Sequence, residues 1–377
     1  MPYSILINEQ PKIEPKVELL LSEAGVEPSV MEDIMSFKST ITDALPFSLM
    51  SLDPEIRSQL GHQLGETIAS CTFNEVVCDY ERDFKETYDP TYGNCFTFNH
   101  NDPPYYYTKQ AGAIHGLMMI LQGSETDYLC STPSTGFRVT IHNYTTMGFP
   151  ETSGYNIAPG MEARMGISQT LIKRLSTSFS PCKSLSELEP LYYYNGSFSV
   201  EGCYRSCFQR KLLENCKCAD PRFPLPPNSN VPYCELNLKK CLDYYQACED
   251  HGQDCACDNP CEEAIFDAAT TMTKLSNSKI LENTCLRTHR SEDAEKCKTS
   301  SQMRNFAVLR VFYSKLNSQT FVEKPAYPLE KLLSDVGGML GIILSLSVIS
   351  FFEFVILILG LIVYAVSDST VSIIHEP

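Results

Sequence analysis

Two groups of residues in this sequence are spaced for chemistry. The first is a lone carboxylate, Glu353, in an apolar run from Gly338 to Val366; these 29 residues carry no other charge. At about 1.5 Å per residue the run makes roughly 43 Å of helix, enough to cross a ~30 Å hydrocarbon core with tilt. A carboxylate near the middle of such a span costs about 2.5–3.5 kcal/mol by insertion scales, so Glu353 is expected to face water or other protein. Gly337, Gly338 and Gly341 gather on one side of the outer end, and Ser345 stands four residues past Gly341. Small residues so spaced suit either a helix-packing face or backbone carbonyls exposed along an ion path.

The second group is cysteine. Cys203 and Cys207 fall one turn apart on a predicted helix over 201–215, and Cys255-Ala256-Cys257, if extended, puts two sulfurs on one face. Four helical residues rise about 6 Å and two strand residues about 6.6 Å, so two stacked disulfides can rivet a helix to an extended segment. A second helix is predicted over 237–250, with Leu238, Leu242 and Tyr245 at helical spacing. It carries the acids Asp243, Glu249 and Asp250, which read either as a solvated face or as part of a proton-sensing cluster. The segment 182–261 thus reads as a stapled helical module with little core of its own.

These groups need a scaffold, and 377 residues suffice for one large or two medium domains. The net charge of −16 argues against a nucleic-acid partner. All 30 basic residues and 43 of the 46 acids precede Gly338, a net −13 for that region. All 17 cysteines lie between Cys71 and Cys297, the usage of an oxidised, extracellular framework rather than of zinc sites, whose Cys-x2-Cys spacing is scarce here. The sequons at Asn143 and Asn195 agree with an extracellular address. Seven scattered His residues and no nucleophile–base arrangement give no enzyme site. No signal peptide is visible at Met1, and the expectation is that the natural chain begins further upstream.

Residues 1–52 read as polar and irregular. Asp53-Pro54 is a helix start, and Ile56, Leu60, Leu64 and Ile68 predict one amphipathic helix ending near Cys71. Gly93-Asn-Cys-Phe-Thr-Phe-Asn99 reads as a turn into a strand. Alternating runs continue to about Leu175, and Phe306–Tyr313 reads as a strand inside a sheet. The divisions expected are an α+β ectodomain over 1–322, a linker over 323–337, a spanning helix over 338–366 and a tail over 367–377.

Three passages resemble the degenerin, epithelial sodium channel and acid-sensing channel superfamily. They are Tyr194-Asn-Gly-Ser-Phe-Ser-Val-Glu-Gly-Cys203-x3-Cys207-x8-Cys216-x-Cys218, Gly93–Asn99, and Asp335 to Glu353. The resemblance runs from about Ile56 to Val366. It implies a homo- or heterotrimeric, amiloride-sensitive sodium or cation channel in the plasma membrane, each subunit having two membrane helices and a β-rich, hand-like ectodomain outside. No cofactor is implied; sodium is the permeant species. Ser345-Leu346-Ser347 match the narrow Gly-Ala-Ser filter, with only the last serine in agreement, and Glu353 matches a carboxylate below it. Lys331 stands where relatives often have a small residue, and would repel cations if it faced the entrance. Phe179 replaces a tryptophan near the first helix.

The resemblance also implies the disulfides Cys71–Cys78, Cys182–Cys261, Cys203–Cys257, Cys207–Cys255, Cys216–Cys241 and Cys218–Cys234. It leaves Cys95, Cys130, Cys248, Cys285 and Cys297 outside that set, with Cys285–Cys297 a plausible local pair and Cys95 expected to pair upstream. The leading expectation is a channel subunit gated through its ectodomain by protons, a peptide or a mechanical tether. The competing one is a non-conducting single-pass receptor or regulatory subunit.

Overall fold

The computed structural model describes residues 4–9, 45–100, 102–103, 105–123, 134–183, 192–227, 229–235, 238–247, 255, 257–276, 305–344 and 348–373. The chain separates into two compact units, Met1–Val322 and Glu323–Pro377.

The first unit is α+β. Its chain order begins β1 (Ser4–Glu9), α1 (Pro54–Leu60), α2 (Leu64–Thr67), β2 (Ile68–Phe73), β3 (Val76–Val77), α3 (Tyr80–Asp83), β4 (Phe84–Asp89) and β5 (Gly93–Phe98). It continues with β6 (Leu117–Gln122), β7 (Phe137–His142), α4 (Pro150–Ser153), β8 (Gly154–Ile157), β9 (Met161–Lys173), α5 (Val200–Asn215), α6 (Lys239–Ala247), β10 (Glu262–Lys274) and β11 (Phe306–Val322).

The strands form a five-stranded sheet in the order β4-β5-β1-β7-β8 and a six-stranded sheet in the order β10-β9-β11-β6-β2-β3. Side chains from both sheets share one core. Leu117, Met119 and Leu121, then Ala163, Met165 and Ile167, then Ala307, Leu309, Val311 and Tyr313 all point into it, the period of two that a pleated strand imposes. Phe96, Phe98, Phe137 and Val139 meet them from the five-stranded sheet. Strand β11 is central, antiparallel to β6 and parallel to β9, and it runs well past the predicted Tyr313 with a register shift between Tyr313 and Ser318.

Two sequence expectations fail locally. The helix from Pro54 toward Cys71 breaks at Leu60. Asp53 caps it as expected, its carboxylate accepting from the Glu55 N–H, but Gly61 turns extended. Gln63 and Glu66 then form a capping box for α2, and Ile68 opens β2 with its side chain in the core. The four-residue repeat is thus shared by two short helices and a strand. Residues 1–52 also hold regular structure: β1 lies between β5 and β7 in the middle of its sheet. Six residues are too few to declare a period, and β1 owes its place to non-local pairing.

In the second unit, α7 (Leu329–Leu344) begins inside the stretch expected as linker, and α8 (Val348–Ile373) continues into the stretch expected as tail. Leu332, Leu333 and Val336 carry the apolar pattern upstream of the predicted edge, while downstream the helix runs on through the polar residues Ser367-Asp368-Ser369-Thr370.

Candidate functional site: an apolar helix pair and a disulfide-stapled module

The cysteine ladder forms as its spacing implies. Cys203–Cys257 and Cys207–Cys255 bridge α5 to the segment that carries Cys255 and Cys257, each with Cα atoms 5.8 Å apart. Equal separations at the two rungs mean that the span from Cys255 to Cys257 matches one turn of α5, about 6 Å. The other four pairs, Cys71–Cys78, Cys182–Cys261, Cys216–Cys241 and Cys218–Cys234, are present as well. Cys95 is buried in β5; Cys130, Cys248, Cys285 and Cys297 lie outside the described residues. Besides disulfides, the module has a small core, to which Phe47 from outside it contributes: Phe47, Leu212, Leu242, Cys218 and Cys234 are buried together. Gln209 locks the turn after α5, its side-chain oxygen accepting from the Asp220 N–H and its amide donating to the Asp220 carbonyl.

Sequence reasoning missed the hub on α5. Arg205 donates from Nε to Glu201 at 2.6 Å and from Nη2 to Glu151 at 3.1 Å. Its guanidinium lies 5.0 Å from the Phe149 ring centroid and 5.9 Å from that of Phe223, so one cation ties α5 to α4 and its N-cap residue Phe149. The available signal was weak: Glu201 and Arg205 are one helical turn apart, but nothing in the sequence announces Glu151. Beside the hub is a cavity of about 460 Å³ lined by Asp89, Glu151, Glu201, Tyr204, Arg205 and Phe223 among others. Burial raises the Asp89 carboxyl above the usual carboxylate range, against the pull of the Tyr92 and Thr91 N–H groups and of Arg205.

Asp243 is exposed on α6, while Glu249 and Asp250 lie outside the described residues. Asn143 and Asn195 both lie in turns of the first unit, Asn195 the more exposed.

In the membrane candidate, α8 contains an 18-residue stretch, Ile349–Val366, of mean hydropathy 2.6 with none of it buried. Glu353 is on this helix and exposed, as are Phe351, Phe352, Phe354 and Ile356 around it. Gly337 and Gly338 are exposed on α7, with open space where a Cβ would be, and Gly341 follows on the same helix. Lys331 sits on the first turn of α7 with its ammonium 5.6 Å from the Tyr327 ring centroid, and Tyr327 donates its hydroxyl to Asp335. Ser345, Leu346 and Ser347 lie outside the described residues.

The amiloride-sensitive sodium channel family matches residues 12–357. The chain belongs to this family. Among its relatives, degenerin unc-8 of Caenorhabditis elegans is 34% identical over 351 residues, covering 90% of this chain and 44% of that protein. Degenerin mec-4 of Caenorhabditis briggsae is 34% identical over 323 residues, 83% of this chain and 41% of that protein. The degenerin-like protein asic-1 of C. elegans is 27% identical over 339 residues, 86% and 39% respectively. The chain spans under half the length of these relatives. As a family member it is related to channels rather than to enzymes, and its disulfide-rich α+β unit and apolar C-terminal helix are those the resemblance implied.

Proposed function

We propose that this chain is a subunit of a trimeric sodium or cation channel of the plasma membrane, amiloride-sensitive and gated through an extracellular first unit. Its α7–α8 segment lines the ion path. Gly337, Gly338 and Gly341 stand at the outer end, Ser345-Leu346-Ser347 form the narrow filter and Glu353 faces water below it. One observation carries the reading: an unburied helix of mean hydropathy 2.6 holds a single carboxylate among exposed aromatic and aliphatic residues. Those apolar faces need lipid or neighbouring helices, and Glu353 needs water or protein. Three copies packed around an axis supply both environments.

The stimulus acts on the first unit, where Arg205 joins the stapled module to the sheet that carries β7 and β8. The cavity beside it has the size of a small-ligand site. Protons, a peptide or a tether remain the classes of stimulus, with Asp243 one of the acids in the module.

Substituted-cysteine labelling tests the pore. The chain, expressed with family subunits, carries Glu353→Cys or Ser347→Cys, and a membrane-impermeant thiol reagent is applied during recording of amiloride-sensitive current. Block of current at both positions is expected. Surface-delivered complexes in which neither position reacts overturn the pore reading and favour a non-conducting single-pass regulatory subunit.

A further inference from the structure

The two sequons, Asn143-Tyr144-Thr145 and Asn195-Gly196-Ser197, are far apart in sequence but meet in the fold. The Ser197 N–H donates to the Thr145 carbonyl at 2.7 Å, and Thr146 and Ser197 form an isolated parallel bridge. Gly196 makes the approach possible. Its φ is +106°, and a Cβ there would stand 2.6 Å from the Thr145 oxygen. By chain reach alone, two residues on either side of one hydrogen bond keep the two asparagines within about 20 Å.

The acceptors are held differently. Asn195 is exposed on its turn. Asn143 is half-buried. Its Oδ1 accepts from the Thr145 N–H at 3.3 Å. Its carbonyl accepts from the Thr146 N–H and hydroxyl, both at 3.0 Å, and sits 2.8 Å from the His142 ring nitrogen. With Oδ1 tied down, the carboxamide of Asn143 has one orientation, and Nδ2 leaves it on the side away from Thr145.

We infer that both asparagines carry N-linked glycans and that the two form one crowded corner, in which the glycan on Asn195 restricts processing of the glycan on Asn143. The inference rests on the extracellular placement of the first unit. At each site Nδ2 loses a proton and bonds to the anomeric carbon of a lipid-diphosphate-linked oligosaccharide. The sugar–diphosphate C–O bond breaks, and the lipid diphosphate leaves. Transfer precedes folding; the corner then decides which glycan trimming enzymes reach. Asn195 presents its glycan outward, whereas the Asn143 glycan is rooted against protein with a neighbour beside it.

Site-resolved glycopeptide mass spectrometry with endoglycosidase H, on surface-biotinylated chain from mammalian cells, reads this directly. The expected result is occupancy at both sites, with a resistant, processed glycan on Asn195 and a sensitive, high-mannose glycan on Asn143. In Asn195→Gln the Asn143 glycan becomes resistant, while in Asn143→Gln the Asn195 glycan is unchanged. Ser197→Ala also abolishes the second sequon but keeps the backbone bond to Thr145, which separates crowding from misfolding. An empty site, or an Asn143 glycan that is the same with and without its neighbour, overturns the inference. Val76→Thr completes a sequon at Asn74 on the exposed β2–β3 turn. A processed glycan there with empty Asn143 and Asn195 sinks the corner alone, whereas no glycan at any of the three sinks the extracellular placement too.

Discussion

Tyr327 and Asp335 are joined by a 2.6 Å hydrogen bond, hydroxyl to carboxylate, with the Lys331 ammonium over the ring between them. Lys331 is therefore held by a neighbour rather than projecting alone. At an exposed site a cation–π contact contributes about 0.5–1 kcal/mol, enough to bias the side chain without fixing it. Tyr327→Ala frees the ammonium and is expected to lower single-channel inward current at low ionic strength, where screening is weak. Lys331→Gln in the same background restores the current. Equal currents for Tyr327→Ala and the parent chain would mean that Lys331 is remote from the permeating ion.

The two rungs of the cysteine ladder close nearly the same loop, with sequence separations of 54 and 48. On the loop-entropy account, removing both costs about 4 kcal/mol for the long loop plus about 2.5 kcal/mol for the short ring between the rungs. Removing either one alone loses only the short-ring part, about 2.5 kcal/mol. Replacing Cys203 and Cys257 together by Ala, then Cys207 and Cys255, then all four, is therefore expected to destabilise more than additively, by about 1–2 kcal/mol. Denaturant unfolding of the first unit measures it; strict additivity argues against a shared loop.

Asp89 makes a pH prediction with a definite sign. Burial raises its carboxyl pKa, so the folded form binds more protons than the unfolded form between the ordinary carboxylate value and the raised one. Its contribution to stability is therefore lost as pH rises through that window and stays lost at neutrality. Asp89→Asn keeps an oxygen for the Thr91 and Tyr92 N–H groups and removes the buried charge. A higher Tm than the parent is expected at pH 7, with the difference shrinking as pH falls through the raised value and gone below about pH 4. A gain of the same size at pH 3 would rule out this origin.

Arg205 spans two elements with one guanidinium, a geometry that lysine cannot copy. Arg205→Lys is expected to cost about 1–3 kcal/mol, because a mostly buried side chain loses one of its carboxylate partners. Glu151 is largely exposed, 62% for its side chain, so its coupling to Arg205 in a double-mutant cycle with Glu151→Gln is expected to be about 0.5–1 kcal/mol. Zero coupling would place the hub's energy in the rings of Phe149 and Phe223 instead.

What could be read in advance divides by range. The ladder was legible because both of its halves are local: Cys203 and Cys207 on one turn, Cys255 and Cys257 on one strip. The central core strand showed itself as an apolar, β-rich run, Phe306–Tyr313. The Glu151–Arg205 pair was hidden because it depends on two helices, α4 and α5, meeting, and no spacing encodes that. β1 was hidden for the same reason, and the helix through Gly61 was misread because a period of four also fits two short helices and a strand. Around the membrane helix the residue types spoke clearly, since one charge among 29 residues has few explanations, but its boundaries did not.

Strand β11 has an uneven build. Phe306 through Val311 is hydrogen-bonded on both sides, to β6 and to β9 over Val308–Val311, and Phe306–Leu309, Val311 and Tyr313 are buried. Beyond the register shift Ser318–Val322 pair with β9, and the residues from Ser314 to Val322 are mostly exposed. Releasing the outer half breaks the ladder to one neighbour, whereas releasing the inner half breaks ladders to two and uncovers core side chains. Local opening therefore costs least at the C-terminal end of the strand and most where it enters the core.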